Sequence, residues 1–191
     1  MLYSYEATMG SRFAKTMFSP AAKLLQEQHN SRAQYERLAA LGSRDESLGD
    51  FEQQFIAARD SFYLGSVTED GWPYIQHRGG PKGFLHVLDG RTLAFADFSG
   101  NKQYITAGNL ATNDRVALFL MDYPHQARLK IIGHARIVEL GQDPALEAEL
   151  RQPAYPAKIE RILVISVVAY DWNCSQNITP RFTEEEFARG I

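Results

Sequence analysis

At Ser61 the hydrophobic pattern of this chain changes period, and that change limits the folds open to it. Residues 1–60 read as a helical arm. Ser19-Pro20 offers a cap followed by a proline at the first helical position, and Gly42 is a plausible stop. Leu24, Leu25 and Gln28 give way to Tyr35, Leu38 and Ala39, with a break expected near Asn30-Ser31. A second helix is expected from Asp50 to Arg59, with Phe51, Phe55 and Ala58 on one face.

From Ser61 onward, short runs rich in aromatic and β-branched residues alternate with turn signals. Phe62–Val67 and Trp72–Arg78 flank Asp70-Gly71, and Phe84–Leu88 and Thr92–Ala96 flank Asp89-Gly90. Asp-Gly between apolar runs is a strong hairpin signal, because glycine accepts the positive φ that tight hairpin turns need. Gln103–Leu110 reads as a short helix, Val116–Met121 and Arg128–Leu140 as strands, Asp143–Leu150 as a helix and Ile162–Ala169 as a strand. Thr183 with Glu186 makes a capping box for a closing helix. Successive hairpins predict a mainly β (α+β) antiparallel barrel with flanking helices, occupying residues 61–191 behind the arm. Strands do not alternate with helices, which argues against a Rossmann sheet.

The 191 residues are 45% hydrophobic and 12% aromatic, enough for one sizeable core. The net charge is -3, so no overall basic field draws the chain to nucleic acid. Charge is unevenly spread: residues 74–136 carry +4, while the segments before and after carry -3 and -4. A basic centre in an acidic chain suits a small anionic ligand, although surface variation would give the same pattern. The one cysteine, Cys174, excludes an intrachain disulfide and fits a reducing compartment. No run approaches a membrane span and the first ten residues lack a signal-like apolar stretch, so a cytoplasmic protein is expected.

Three segments could carry chemistry. In Gln76-His77-Arg78-Gly79-Gly80-Pro81-Lys82 a strand ends in an arginine, two glycines and a lysine. Arginine grips phosphate with a planar fork, and glycine lets backbone approach a ligand. A solvated connection between hairpins would use the same residues. In Asp97-Phe98-Ser99-Gly100-Asn101-Lys102-Gln103 a strand runs into a helix start, whose free amides favour an anion. An ordinary capped helix would look alike. The third, Tyr170 to Phe182, combines Trp172, Gln176 and Arg181 after a buried strand; a structural loop anchored by its tryptophan is the alternative. Cys174 lacks a partner pattern for nucleophilic chemistry. His77, His86, His125 and His134 have no metal-ligand spacing, so no metal is expected.

Taken in this order, the segments resemble the pyridoxamine 5′-phosphate oxidase superfamily, and within it the FMN-binding branch. The resemblance covers about residues 50–185. It rests on Asp97-Phe98-Ser99-Gly100-Asn101-Lys102-Gln103-Tyr104 with Gly108-Asn109-Leu110, on Leu118-Phe119-Leu120-Met121-Asp122-Tyr123, and on Asp171-Trp172-Asn173-Cys174 through Thr179-Pro180-Arg181. It implies a six-stranded split barrel and a homodimer with FMN bound between subunits. By position it puts Arg78 and Lys102 on the FMN phosphate and Gln76, Gly79 and Gly80 along the flavin edge. Lys82, Asp97, Ser99, Asn101 and Gln103 complete the binding loops. Trp172, Gln176 and Arg181 reach the partner's flavin. The implied activity is FMN-dependent oxidation or reduction of a small molecule. A non-catalytic flavin-binding module, and a relative that binds haem or deazaflavin, are the alternatives. The acidic tail Phe182 to Ile191 departs from the arginine-rich terminus of the oxidase itself, which argues against vitamin B6 as substrate.

Overall fold

The computed structural model describes residues 11–40, 46–172, 176–188 and 190. Gly42 and Cys174 lie outside the described residues. The arm forms α1 (Ser11–Met17), α2 (Pro20–Gln28), α3 (Arg32–Ala40) and α4 (Asp50–Ala57). Sequence reading missed α1. The expected break falls between α2 and α3, where Asn30 takes φ 57°. Ser19 caps α2 by accepting from the Ala22 N–H at 3.1 Å.

Seven strands follow: β1 (Ser61–Val67), β2 (Pro73–Gly79), β3 (Leu85–Asp89), β4 (Thr92–Phe98), β5 (Arg115–Asp122), β6 (Ala127–Glu139) and β7 (Ile159–Trp172). All seven strand segments read from the sequence are present, so the sheet has seven strands where the barrel was expected to have six. Their order is β2-β1-β5-β6-β7-β4-β3, with every pairing antiparallel. Helix α5 (Ile105–Thr112) joins β4 to β5, α6 (Pro144–Leu150) joins β6 to β7, and α7 (Glu184–Ala188) follows the last strand. The Thr183–Glu186 capping box forms in both directions, at 2.8 and 3.2 Å.

The sheet curls until strands far apart in its order touch through side chains. The Phe62 ring on β1 lies 5.2 Å from Phe95 on β4 and 5.5 Å from Phe84, beside β3. Leu64, Leu93, Leu118, Leu120, Leu129, Ile131 and Ile165 fill the same core and are almost fully buried. Strand alternation supplies this inner face: β5 buries Val116, Leu118 and Leu120 and leaves the residues between them more exposed. The sheet is not closed, since β2 and β3 remain edges. Gly133 sits at a register shift between β6 and β7, where a Cβ would stand 2.5 Å from the Ser166 carbonyl oxygen.

On the outside of the sheet, α1 buries Phe13 and Ala14, and the Lys130 Nζ lies 4.8 Å from the centre of the Phe13 ring. Among the described residues no helix is long and apolar enough to cross a membrane.

Candidate functional site

Strand β2 separates two surfaces by its alternation. Tyr74, Gln76 and Arg78 turn one way and are half-buried, while Pro73, Ile75 and His77 turn the other way and are exposed. The first set walls a cleft of about 180 Å³. Opposite it stand Asp97 and Phe98 at the end of β4, the loop 100–104, the first turn of α5 and Glu160 of β7.

Chain geometry explains why this loop forms the wall. Lys102 and Tyr104 both take left-handed backbone, with φ 59° and 53°. Non-glycine residues held there cost on the order of 1 kcal/mol each, so surrounding contacts must impose the conformation. Two such contacts are evident. The Gln103 N–H donates to the Asn101 Oδ1 at 3.2 Å, and the Arg161 guanidinium covers the Tyr104 ring at 4.8 Å. The result brings the first turn of α5, Ile105 to Ala107, to the cleft. Amides of a helix's first turn have no partner within the helix and attract anions.

Arg78 and Asp97 form an ion pair at 2.5 Å, and the Arg161 Nε lies 3.8 Å from the other Asp97 oxygen. Burial pushes the Asp97 carboxyl above its ordinary range, against the pull of Arg78 and Arg161. The Nε atoms of Arg78 and Arg161 are buried without a hydrogen-bond partner. The Tyr74 hydroxyl donates to the side-chain Oε1 of Gln76. The cleft therefore holds two cations, Arg78 and Lys102, with spare donor capacity, set against two carboxylates.

Six of the residues proposed from sequence meet here: Gln76, Arg78, Asp97, Asn101, Lys102 and Gln103. The other seven are elsewhere. Ser99 turns to β7, where its Oγ donates to Glu160 at 3.1 Å and its N–H to the Lys158 carbonyl at 2.8 Å. Gly79 ends β2 opposite Ser61. At Gly80 a Cβ would stand 2.7 Å from the Phe84 ring, so close packing accounts for that glycine. Lys82 lies near Glu186, whose carboxyl is held below its ordinary range by hydrogen bonds from Thr183 and, more weakly, by the Lys82 charge.

Trp172 was expected in a loop but is the last residue of β7. Its Nε1–H donates to the Glu52 Oε1 at 2.8 Å, and its ring packs on Phe51 and Phe55 of α4. Gln176 is an exposed turn residue. Arg181 lies over the Tyr123 ring at 4.9 Å. It lines a wide apolar groove of about 770 Å³ on the outer face of β1, β5 and β6, together with Tyr63, Ile75, Phe119 and Met121.

Sequence reasoning gave no site role to Tyr74, Tyr104, Glu160 or Arg161. Tyr74 was findable, because period-two alternation puts it on the face of Gln76 and Arg78. Glu160 and Arg161 enter from a strand some sixty residues beyond Asp97 in the chain, and no local pattern marks them.

Comparison with known proteins identifies the frame around this cleft. The family model described as pyridoxamine 5′-phosphate oxidase matches residues 48–166, well over half of the chain. The chain belongs to that family. The match runs from just before α4 into β7 and so includes every segment lining the cleft.

Among solved structures, a putative pyridoxamine 5′-phosphate oxidase of Lactobacillus delbrueckii aligns with a TM-score of 0.50 at 21% identity, over 66% of this chain and 95% of that one. An FMN-binding protein of Syntrophomonas wolfei aligns with a TM-score of 0.45 at 16% identity, over 76% and 97%. HupZ of Group A Streptococcus aligns with a TM-score of 0.49 at 15% identity, over 71% and 99%. No curated protein matches the chain. The first of these likenesses concerns the fold, the split barrel of the family.

Proposed function

We infer that this chain is an FMN-dependent oxidoreductase acting on a small molecule, with the flavin held between two copies. The observation that carries the reading is the convergence of Gln76, Arg78, Asn101, Lys102 and Gln103 with the first turn of α5 in one cleft. Those residues come from two separate segments and supply what a phosphate monoester needs: a guanidinium with a spare buried N–H, an ammonium and free helix amides. In a member of this family, that donor set fits the phosphate of FMN.

The size of the cleft supports a second copy. Its volume, about 180 Å³, is below the roughly 300–1,000 Å³ of sites that enclose a whole cofactor. It suits the phosphate and the adjoining polyol. The flavin ring needs apolar cover, and the apolar groove lies on the opposite face of β2. A twofold partner would present that groove, with Arg181 and Tyr123, to the ring. A bound flavin supplies two-electron redox chemistry at its ring. The part of the protein is to anchor the phosphate through Arg78 and Lys102, exclude water from the ring with the groove, and set the charge near it with Arg181.

The test is the visible spectrum of the purified protein, followed by mass identification of its released ligand. A flavin spectrum with FMN released is the expected result. A colourless protein that also fails to bind added FMN, or a haem spectrum, overturns the assignment. Steady reduction by a nicotinamide donor then separates an oxidoreductase from a flavin carrier.

A further inference from the structure

The phosphate cleft contains a carboxylate that an anion-binding site does not need for charge. Asp97 is 14% exposed in its side chain and lines the cleft. It is shared by two arginines from different strands: Arg78 of β2 at 2.5 Å and Arg161 of β7 at 3.8 Å. Other charged groups face it as well. Glu160 comes from β7, Lys102 from the loop, and Arg161 in turn covers Tyr104 at the entry to α5. An anion that reaches Arg78 arrives beside Asp97.

We propose that Asp97 is a positioning residue that aims Arg78 into the cleft and takes up a proton when a phosphate monoester enters. The proposal rests on the phosphate reading of the cleft. A carboxylate and a phosphate dianion that share one guanidinium repel each other, and a like charge in the same site raises the carboxyl pKa. The proton comes from solvent, adds to a carboxylate oxygen of Asp97, and returns to solvent when the ligand leaves; no other bond changes. Burial already raises the Asp97 carboxyl above its ordinary range against the pull of Arg78 and Arg161, and the arriving anion acts in the same direction. Arg78 is then released from a full ion pair and can turn its donors, including the buried and unpartnered Nε, to the phosphate.

The sign follows from linkage. The bound state holds more protons than the free state, so affinity weakens as pH rises. The phosphate's own second pKa is about 6, so above pH 7 it stays a dianion and does not mask the effect. Without Asp97 the sign reverses near pH 6, because the cations then favour the dianion and binding releases a proton.

Calorimetric titration of FMN into the flavin-free full-length chain at pH 7, in buffers of different ionisation enthalpy, reads the proton directly. The wild type is expected to take up a fraction of a proton approaching one, and its Kd to weaken with pH by at most about tenfold per unit. Asp97→Asn is expected to lose the uptake. The phosphorus resonance of bound FMN supplies a second readout that needs no variant: a dianion shift together with net uptake puts the proton on the protein. Binding of FMN without uptake, equal uptake by Asp97→Asn, or a monoanion resonance overturns the proposal and leaves the flavin assignment standing. Failure of FMN to bind under any condition overturns both.

Discussion

The Arg78 guanidinium meets the Asp97 carboxylate at 2.5 Å, joining β2 to β4 although these strands are not neighbours in the sheet. The pair exists because the sheet curls, and it sets one wall of the cleft. Arg78→Ala is expected to weaken FMN binding by roughly tenfold to a hundredfold, the worth of a charge-assisted bond of about 1.5–3 kcal/mol. Lys102→Ala is expected to do the same with less effect on stability, since Lys102 is exposed and has no ion-pair partner among the described residues. Fluorescence titration with FMN measures both. Unchanged affinity in both variants would remove the cleft as the phosphate site.

Ile75 is 69% exposed on the face of β2 opposite Arg78, and it lines the groove that the proposed partner would cover. Ile75→Asp is expected to convert a dimer to a monomer in light scattering and to reduce flavin content. A wild-type monomer with flavin bound would reject the two-copy site.

Trp172 donates to Glu52, which is 8% exposed and also accepts the Gly49 N–H at 3.0 Å to cap α4. Trp172→Phe keeps the packing on Phe51 and Phe55 but removes a donor from a buried carboxylate. The expected cost is about 1–3 kcal/mol in urea unfolding. FMN affinity per folded molecule is expected to change little, which separates an anchor of α4 from a flavin contact.

Arg181 lies on the groove over Tyr123 and puts a positive charge where the ring is expected. Reduced flavin gains negative charge, so Arg181→Ala is expected to lower the midpoint potential, on the order of 30 mV for a two-electron couple, equivalent to about 1.4 kcal/mol. Equilibration with a reference dye reads the shift. No shift would exclude Arg181 from tuning the flavin.

Asp122 ends β5 between Arg59, at 2.8 Å, and the His125 Nδ1, at 2.9 Å. Burial opposes its ionisation, but the hydrogen bond from His125 and the Arg59 charge outweigh burial and hold the carboxyl below its ordinary 3.8. Its stabilisation is therefore present above pH 3.8 and lost as pH falls through the lower folded value. Asp122→Ala leaves Arg59 half-buried without this partner and is expected to cost about 3 kcal/mol at pH 7. The gap between variant and wild type should close in acid, as followed by urea midpoints.

Much of this protein follows from local patterns. The seven strand segments, the hairpin turns, the break at Asn30 and the capping box at Thr183 depend on neighbours a few residues away, so they are legible along the chain. Period two likewise settled which β2 residues share a face. The cationic cleft was legible in outline, because Arg78 and Lys102 sit at a strand end and before a helix start, where short-range chemistry exposes donors.

The contacts made by curling have no such local origin. The sheet closes Phe62 onto Phe95, carries Arg78 to Asp97, and brings Glu160 and Arg161 behind the loop. It also takes Trp172 to Glu52, 120 residues away in the chain, where its indole supports the cap of α4. These pairings depend on strand order and register, which arise from the packing of the whole core and leave no periodic trace along the chain.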